Sequence, residues 1–177
     1  MAVGQSEVKQ DITKVKLLGI FVGNPAPQFV ARTLDDQEIK LSDLRGKIVL
    51  LDFWATWCGP CAAELPNVRK AYEKYADQGF MVVGINLDRD AAAARQFLAK
   101  EKYPWPQIWA DGGTKSTLAK MYSVSAIPAT FLIGPDGKVA AKDLRGKKLH
   151  QAIRDLLKRK AMTEEAGISE IALPPVP

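Results

Sequence analysis

The sequence has little cysteine and histidine, and this limits the chemistry it can perform. It holds 2 cysteines among 177 residues, Cys58 and Cys61, and a single histidine, His150. Two cysteines cannot build the disulfide framework of a small secreted domain, and with one histidine they cannot supply the four ligands of a structural zinc site. The two thiols are therefore either inert or directly chemical.

Long apolar runs are also absent. The longest candidate near the start, residues 17–22, is far shorter than the roughly 18 residues that a membrane span needs, and no signal peptide is recognisable. The sequence leaves open whether a leader or a membrane anchor precedes residue 1. With 47% apolar and 25% charged residues, the composition is that of a globular protein. We interpret 1–21 as an N-terminal extension or boundary, 22–160 as one domain, and 161–177 as a proline-containing tail or linker.

The net charge of +5 comes from one segment. Between Lys138 and Lys160, nine Lys and Arg face two Asp, a surplus of +7, whereas the rest of the chain carries −2. Apolar residues recur there at helical spacing, which predicts a terminal helix with one packed face and solvated lysines on the other. We therefore expect no nucleic-acid partner, and binding of nucleic acid or of an acidic partner by this helix is the alternative. The apolar positions are Leu149, Ala152, Ile153, Leu156 and Leu157.

The order of patterns predicts a layered α/β domain with a mixed central sheet flanked by helices and an N-terminal β-hairpin. Continuous apolar runs of strand length indicate buried central strands, and apolar residues three and four apart indicate helices. The predicted elements are a hairpin at 29–40, a helical turn at 42–46, strands at 48–54, 80–87, 129–133 and 138–142, helices at 61–75, 90–102 and 114–122, and the basic helix.

Both cysteines lie just after the first long strand, at the start of the following helix. Unpaired backbone N–H groups and the helix dipole favour an anion at Cys58, so its thiol should ionise more readily than that of free cysteine and act as the nucleophile. Cys61 falls in the middle of the helix's apolar stripe, which makes it the protected, resolving thiol. Two intervening residues bring the sulfurs within bonding distance. Half of a metal site, or two incidental thiols, are the alternatives.

Three further residues are candidates for the same site. Asp52 interrupts an apolar strand, and a buried carboxylate is costly unless it is paired or takes up a proton, which it could exchange with the resolving thiol. Glu64 borders the buried face three residues after Cys61, but an ordinary first-turn acid favoured by the helix dipole is the alternative. Pro128 begins a strand, where either a cis or a trans peptide bond is compatible with the sequence.

Residues 51–61, joined to residues 127–133, resemble the thioredoxin superfamily. More closely, residues 22–160 resemble the TlpA/ResA-like branch of extracytoplasmic thiol-disulfide oxidoreductases, within the AhpC/TSA and redoxin group. The motifs that carry this closer resemblance are Pro25-Ala26-Pro27-Gln28-Phe29, Leu41-Ser42-Asp43-Leu44-Arg45-Gly46-Lys47, Glu64-Leu65-Pro66 and Gly134-Pro135-Asp136-Gly137-Lys138.

The resemblance implies a thioredoxin fold in which Cys58 attacks, Cys61 resolves, and Pro128 is a cis-proline facing the disulfide. It implies protein thiols or disulfides as substrates, an upstream thiol reductant as partner, and no cofactor or metal besides the redox-active Cys58–Cys61 pair. The expected location is the bacterial periplasm or the outer face of a membrane, with the cytoplasm as alternative, and cytochrome c maturation is a common role. The residues implied to contact substrate are Trp57, Gly59, Pro60 and Ile127.

The chain departs from the branch pattern in ways that bear on direction. Asp52 matches the buried acid of cytosolic-type thioredoxins, at a position that is often Asn in the ResA branch, whereas Glu64 matches the acid of that branch. Ile127 and the Gly59-Pro60 dipeptide are also thioredoxin-like. These features favour a reductant over a strong oxidant.

Two other functions compete with this hypothesis. A peroxidase of the peroxiredoxin type requires proline seven residues and threonine three residues before the attacking cysteine, but this chain has Leu51 and Ala55 there. A redox-inert module that binds a partner through the basic helix would keep its binding after both cysteines are replaced by serine.

Overall fold

The computed structural model describes residues 20–167, which form a five-stranded mixed sheet with helices on both faces and a separate two-stranded hairpin. The hairpin pairs β1 with β2, and the sheet order is β5-β4-β3-β6-β7. β3 runs parallel to β4 and antiparallel to β6. The strands are β1 (Val30–Arg32), β2 (Glu38–Lys40), β3 (Ile48–Trp54), β4 (Phe80–Asn86), β5 (Gln107–Trp109), β6 (Ala129–Ile133) and β7 (Val139–Lys142).

Residues 20–167 also form four α-helices and three short 3-10 helices, which lie between the strands except for the last α-helix, which follows β7. The longest helices, α1 and α4, place an apolar stripe against the sheet and leave their polar residues outside. The helices are α1 (Gly59–Tyr75), α2 (Ala91–Glu101), α3 (Thr117–Met121) and α4 (Gly146–Glu165), with 3-10 helices at Leu41–Leu44, Ala76–Gln78 and Gly113–Lys115. Among residues 20–167, no helix combines the length and the apolar character needed to cross a membrane.

The central strand β3 is buried along its whole length because both faces of the sheet are covered. Its odd-numbered side chains, such as Leu51 and Phe53, join a core on one face. Its even-numbered apolar side chains, such as Leu50 and Trp54, join a second core that also contains both cysteines and the buried residues of α1 and α4. Since side chains alternate along a strand, Asp52 lies on the face that carries the cysteines.

The predicted mixed sheet, flanking helices and hairpin are confirmed. The sequence analysis missed β5, a three-residue strand beside β4, because so short a segment shows no periodicity. The single helix expected at 114–122 is a 3-10 turn followed by α3. Helix α4 continues to Glu165, past the expected domain end at residue 160. The domain boundaries stay predictions, and residues 1–19 and 168–177 lie outside the described residues.

One glycine is required by the pairing of β4 with β5. The side chain of Gln107 lies over Gly84, where an added Cβ would overlap the Gln107 Oε1 atom. That oxygen accepts a hydrogen bond of 3.0 Å from the indole Nε1 of Trp54. Because glycine has no side chain, Gln107 of β5 can lie over position 84 and accept the hydrogen bond from Trp54 of the central strand.

Replacing Gly84 with alanine should push Gln107 away from Trp54 and leave buried polar groups unpaired. We expect a loss of about 1–3 kcal/mol in the free energy of unfolding, measured by urea denaturation. Gly59→Ala is the matched control, because nothing lies within 4 Å of an added Cβ there, and it should change stability by less than about 0.5 kcal/mol. Equal unfolding midpoints for the two variants would contradict this packing argument.

Candidate active site

The two cysteines form a disulfide at the beginning of α1. Cys58 is the N-cap residue, and its Sγ atom accepts a hydrogen bond of 3.2 Å from the backbone N–H of Cys61. Pro60 occupies the first turn, where its missing N–H removes no intrahelical bond. The local sequence therefore places one sulfur at the positive end of the helix dipole and the other one turn further into the helix.

Cys58 is less accessible than its place at the helix entrance suggests, whereas Cys61 is buried, as its position in the apolar stripe predicts. Cys58 is 5% exposed and Cys61 is 2% exposed, whereas the neighbouring Trp57 is 66% exposed. In this oxidised form Cys58 is bonded to Cys61, which belongs to the buried stripe of α1, and so it joins the same apolar core. Cys58 is still the more exposed of the two cysteines, as expected, but the difference in exposure is small.

Asp52 is a buried carboxyl group on the cysteine side of β3. Burial raises its pKa from the ordinary 3.8 to about 7; the negative charge of Glu64 acts in the same direction, and Arg145 opposes both. An acid with this pKa gains or loses its proton near neutral pH, and can therefore act as a proton donor or acceptor there.

Glu64 interacts with the start of a different helix from its own. Its Oε1 atom accepts hydrogen bonds from the backbone N–H of Gly146, at 2.8 Å, and from the Asn67 Nδ2 atom, at 2.7 Å. Gly146 is the first residue of α4, whose N-cap residue Arg145 supplies no side-chain cap. Glu64 thus caps α4, a role that is not visible in the sequence, because the two residues are 82 positions apart.

The proline segment lies next to the same helix start. The Ile127–Pro128 peptide bond is cis, which agrees with the resemblance. The Pro128 carbonyl accepts a hydrogen bond of 2.7 Å from Arg145 Nη2, and Ile127 packs against the core that contains the cysteines. Arg145 therefore holds the proline segment through a hydrogen bond, and its positive charge also lowers the pKa of Asp52. The sequence analysis missed it, since nothing distinguishes it within a basic segment.

A second buried carboxylate, Asp88, positions the turn that leads to Cys58. It accepts hydrogen bonds from the Thr56 N–H at 3.1 and 3.2 Å, from the Thr56 hydroxyl at 2.8 Å and from Asn86 Nδ2 at 2.8 Å. The sequence analysis did not identify these residues. The sequence feature that could have identified them is the pair of polar residues Asn86 and Asp88 at the carboxyl end of a buried parallel strand, where functional groups are often found.

An open cleft of about 890 Å³ lies beside the exposed Trp57. Its walls combine the turn before Cys58 with the loops that follow β4 and β5, and they include Asp90, Asp111 and Lys115. Gly59 and Pro60 are exposed at the start of α1, so together with Trp57 they form the accessible surface next to the disulfide. Within residues 20–167, no group of three or more His, Cys, Asp and Glu side chains is placed to hold a metal ion.

Comparison with known proteins agrees with this geometry. Residues 22–142 match the model of the AhpC/TSA family. The chain is similar to the thiol-disulfide oxidoreductase ResA of Bacillus cereus, with 39% identity over 121 residues that cover 68% of each chain. It is also similar to ResA of Bacillus subtilis, with 36% identity over 135 residues, 76% of this chain and 73% of the relative.

Solved structures with the same fold have related descriptions. A thiol:disulfide interchange protein of the DsbE type from Chlorobium tepidum superposes with a TM-score of 0.72 and 33% identity, covering 78% of this chain and 99% of that one. The C-terminal domain of a thiol-disulfide oxidoreductase from Bacteroides thetaiotaomicron gives a TM-score of 0.73 and 30% identity, covering 79% and 98%.

The raised pKa of Asp52 predicts how stability depends on pH. Between about pH 4 and 7 the folded state keeps a proton that the unfolded state releases, so the free energy of unfolding should fall as the pH rises through this window. Asp52→Asn removes this loss. At about pH 8 the variant should be more stable than wild type by about 4 kcal/mol, at roughly 1.4 kcal/mol for each pKa unit, and near pH 4 by less than about 1 kcal/mol.

Urea denaturation of the disulfide form across this pH range measures the difference. Asp35→Asn is the control, because Asp35 is exposed and lies in the hairpin, and it should keep the wild-type dependence. Parallel pH profiles for wild type and Asp52→Asn would contradict the assignment of a neutral-range pKa to Asp52.

Proposed function

The chain belongs to the AhpC/TSA family and is a thiol-disulfide oxidoreductase with the thioredoxin fold, and we propose that it reduces protein disulfides outside the cytoplasm. The observation that carries this proposal is the Cys58–Cys61 disulfide at the N-terminus of α1, with Asp52 on the same side of the sheet and Ile127, which precedes the cis bond, packed against the core that contains the cysteines. The pair itself is the redox group, and no bound cofactor takes part.

The reaction proceeds by two thiol-disulfide exchanges. The Cys58 thiolate attacks one sulfur of a substrate disulfide, forming a mixed disulfide and releasing the other substrate sulfur as a thiolate that takes up a proton. The Cys61 thiolate then attacks the Cys58 sulfur, which forms the Cys58–Cys61 disulfide and releases the second substrate thiol. An upstream dithiol returns the enzyme pair to its reduced form by the same exchange in reverse.

The surroundings of the pair assign different tasks to the two sulfurs. The Cys61 N–H bond to Cys58 Sγ and the helix dipole stabilise negative charge on Cys58 after reduction. Cys61 lies deeper and must lose its proton before it can attack. Asp52, with a pKa of about 7, accepts that proton during resolution and returns it when the pair is reduced.

The charges around the site support the reducing direction. A strongly oxidising pair needs a reduced form whose thiolate is highly stabilised. Here Asp52 and Glu64 place carboxyl groups on the cysteine side of the sheet, and Arg145 balances them only in part. Their negative charge opposes accumulation of the thiolate, which leaves the dithiol a better electron donor.

Substrate binding is assigned to the surface around the disulfide. The exposed Trp57, Gly59 and Pro60 provide one side, and the backbone at Ile127 pairs with an extended substrate segment on the other. The cleft beside Trp57 has room for substrate side chains next to the target cysteine. Glu64 acts indirectly: its negative charge raises the pKa of Asp52.

The proposed location and substrate rest on the TlpA/ResA-like resemblance. At this location an upstream thiol reductant would supply the electrons, and a membrane anchor outside residues 1–177 would hold the domain at the membrane. Apocytochrome c, whose haem-attachment cysteines must be reduced, is the substrate that the resemblance favours.

Replacing either cysteine should affect the two exchanges differently. Cys58→Ala should lower the catalysed reduction of insulin by dithiothreitol to the uncatalysed rate, because no attacking sulfur remains. Cys61→Ser keeps the attack but stops resolution, so a mixed disulfide through Cys58 should accumulate and be detectable by non-reducing gel electrophoresis and mass spectrometry.

Direction is tested with the wild-type protein in both redox states. The reduced form should reduce insulin, whereas the disulfide form should oxidise a reduced, unfolded protein at no more than the background rate. Unchanged insulin reduction by Cys58→Ala would refute the assignment of the nucleophile. Rapid oxidation by the disulfide form would instead reverse the proposed direction.

A further inference from the structure

Asn67 and His150 continue the hydrogen-bonded chain that begins at Glu64. The Asn67 Nδ2 atom lies 2.7 Å from Glu64 Oε1, and the Asn67 Oδ1 atom lies 3.2 Å from His150 Nε2. Glu64 and Asn67 are three residues apart on α1, while Gly146 and His150 are four residues apart on α4. Two hydrogen bonds therefore join α1 to α4. The Gly146 N–H donates to the Glu64 carboxylate directly, and His150 is connected to the same carboxylate through the Asn67 amide.

The hydrogen-bonding chemistry allows only one arrangement of this chain. A carboxylate only accepts hydrogen bonds, so the side of the Asn67 amide that faces Glu64 must be its NH₂ group. The amide oxygen then faces His150, whose Nε2 atom must carry a hydrogen. Both the neutral Nε2–H tautomer and the imidazolium meet this requirement, so the bond to Asn67 does not depend on the charge of the ring.

The surroundings of His150 favour its neutral form. Burial lowers its pKa, the nearby Lys74 of α1 and Arg154 of α4 act in the same direction, and Glu64 and the backbone of Asn67 oppose them. The centre of its ring lies 5.8 Å from that of Tyr75 on α1, and this contact restricts the movement of the imidazole. A neutral, held imidazole can orient the amide without adding a charge to the site.

The position of the Glu64 carboxylate has an electrostatic consequence at Asp52. The charge of Glu64 is the second-largest cause of the raised Asp52 pKa, after burial, and Arg145 acts against it. If Asn67 is lost, the Gly146 N–H is the one hydrogen-bond donor to this carboxylate that remains among residues 20–167, and a partly buried ion that loses a hydrogen bond turns toward water. The carboxylate would then repel negative charge on Asp52 less strongly.

We propose that Asn67 and His150 are positioning residues that hold the Glu64 carboxylate against the N-terminus of α4, the position from which it acts on Asp52. This proposal rests on the roles proposed above for Asp52 and Glu64. Neither Asn67 nor His150 touches the reacting sulfurs, and both act through the orientation of one carboxylate. A pair that merely joined α1 to α4 would affect the stability of the domain and leave proton exchange at Asp52 unchanged.

The test is a carboxyl ¹³C NMR titration of the full chain in its disulfide form, labelled at aspartate. The Asp52 signal is identified by its absence from the spectrum of Asp52→Asn. Glu64→Gln should lower the midpoint of this signal because it removes the charge. Asn67→Leu and His150→Leu should lower it as well, by at least about 0.3 pH unit, a twofold fall in proton affinity. Asn67→Ala provides a smaller substitution if the leucine variant does not fold.

His150→Gln is the matched control, since a glutamine amide can donate a hydrogen bond to Asn67 as Nε2 does. It should keep the wild-type midpoint, and the pH profile of insulin reduction should shift only in the variants that shift Asp52. If Glu64→Gln moves the midpoint while Asn67→Leu, Asn67→Ala and His150→Leu leave it in place, the positioning role is refuted and the proposed function stands. If Glu64→Gln also leaves it in place, the role of Glu64 fails too, whereas the cysteine assignments are tested separately by Cys58→Ala.

Discussion

A carboxyl group buried in the central strand is the constraint to which the rest of the site is adapted. β3 is covered on both faces and every one of its residues is buried, so an ionised Asp52 has a high desolvation cost there. The raised pKa, near 7, reduces this cost, because below that pH the carboxyl group keeps its proton and is uncharged. The same property makes Asp52 chemically useful, since it exchanges its proton in the range where the thiols react.

The N-terminus of α4 brings the other charged groups to this carboxyl. Gly146 donates to Glu64, while Arg145 donates to the Pro128 carbonyl. Glu64 makes Asp52 keep its proton and Arg145 favours its release. The start of one helix thus connects the proline segment, the acid on α1 and the buried acid on β3, although these elements are far apart in the chain.

Local patterns were sufficient to predict the main framework of the domain. The apolar runs of β3 and β4, the stripe of α1 and the spacing of Cys58 and Cys61 each depend on a few consecutive residues, and all are seen in the structure. β5 could not be predicted, because three residues carry no periodicity and their place is set by pairing with β4. The tertiary partners of Glu64 were also hidden, since Gly146 contributes only a backbone N–H and His150 lies in a segment defined by its lysines.

The pH dependence of the reduction potential tests the coupling between Asp52 and the disulfide most directly. If reduction places negative charge near Asp52 and raises its proton affinity, the wild-type potential should fall more steeply with pH around neutrality than that of Asp52→Asn. The extra slope should reach up to about 30 mV per pH unit, the value for one additional proton in a two-electron couple. Parallel lines for the two proteins from about pH 5 to 9 would show that the redox state of the pair does not change the proton affinity of Asp52, and would contradict the coupling between them.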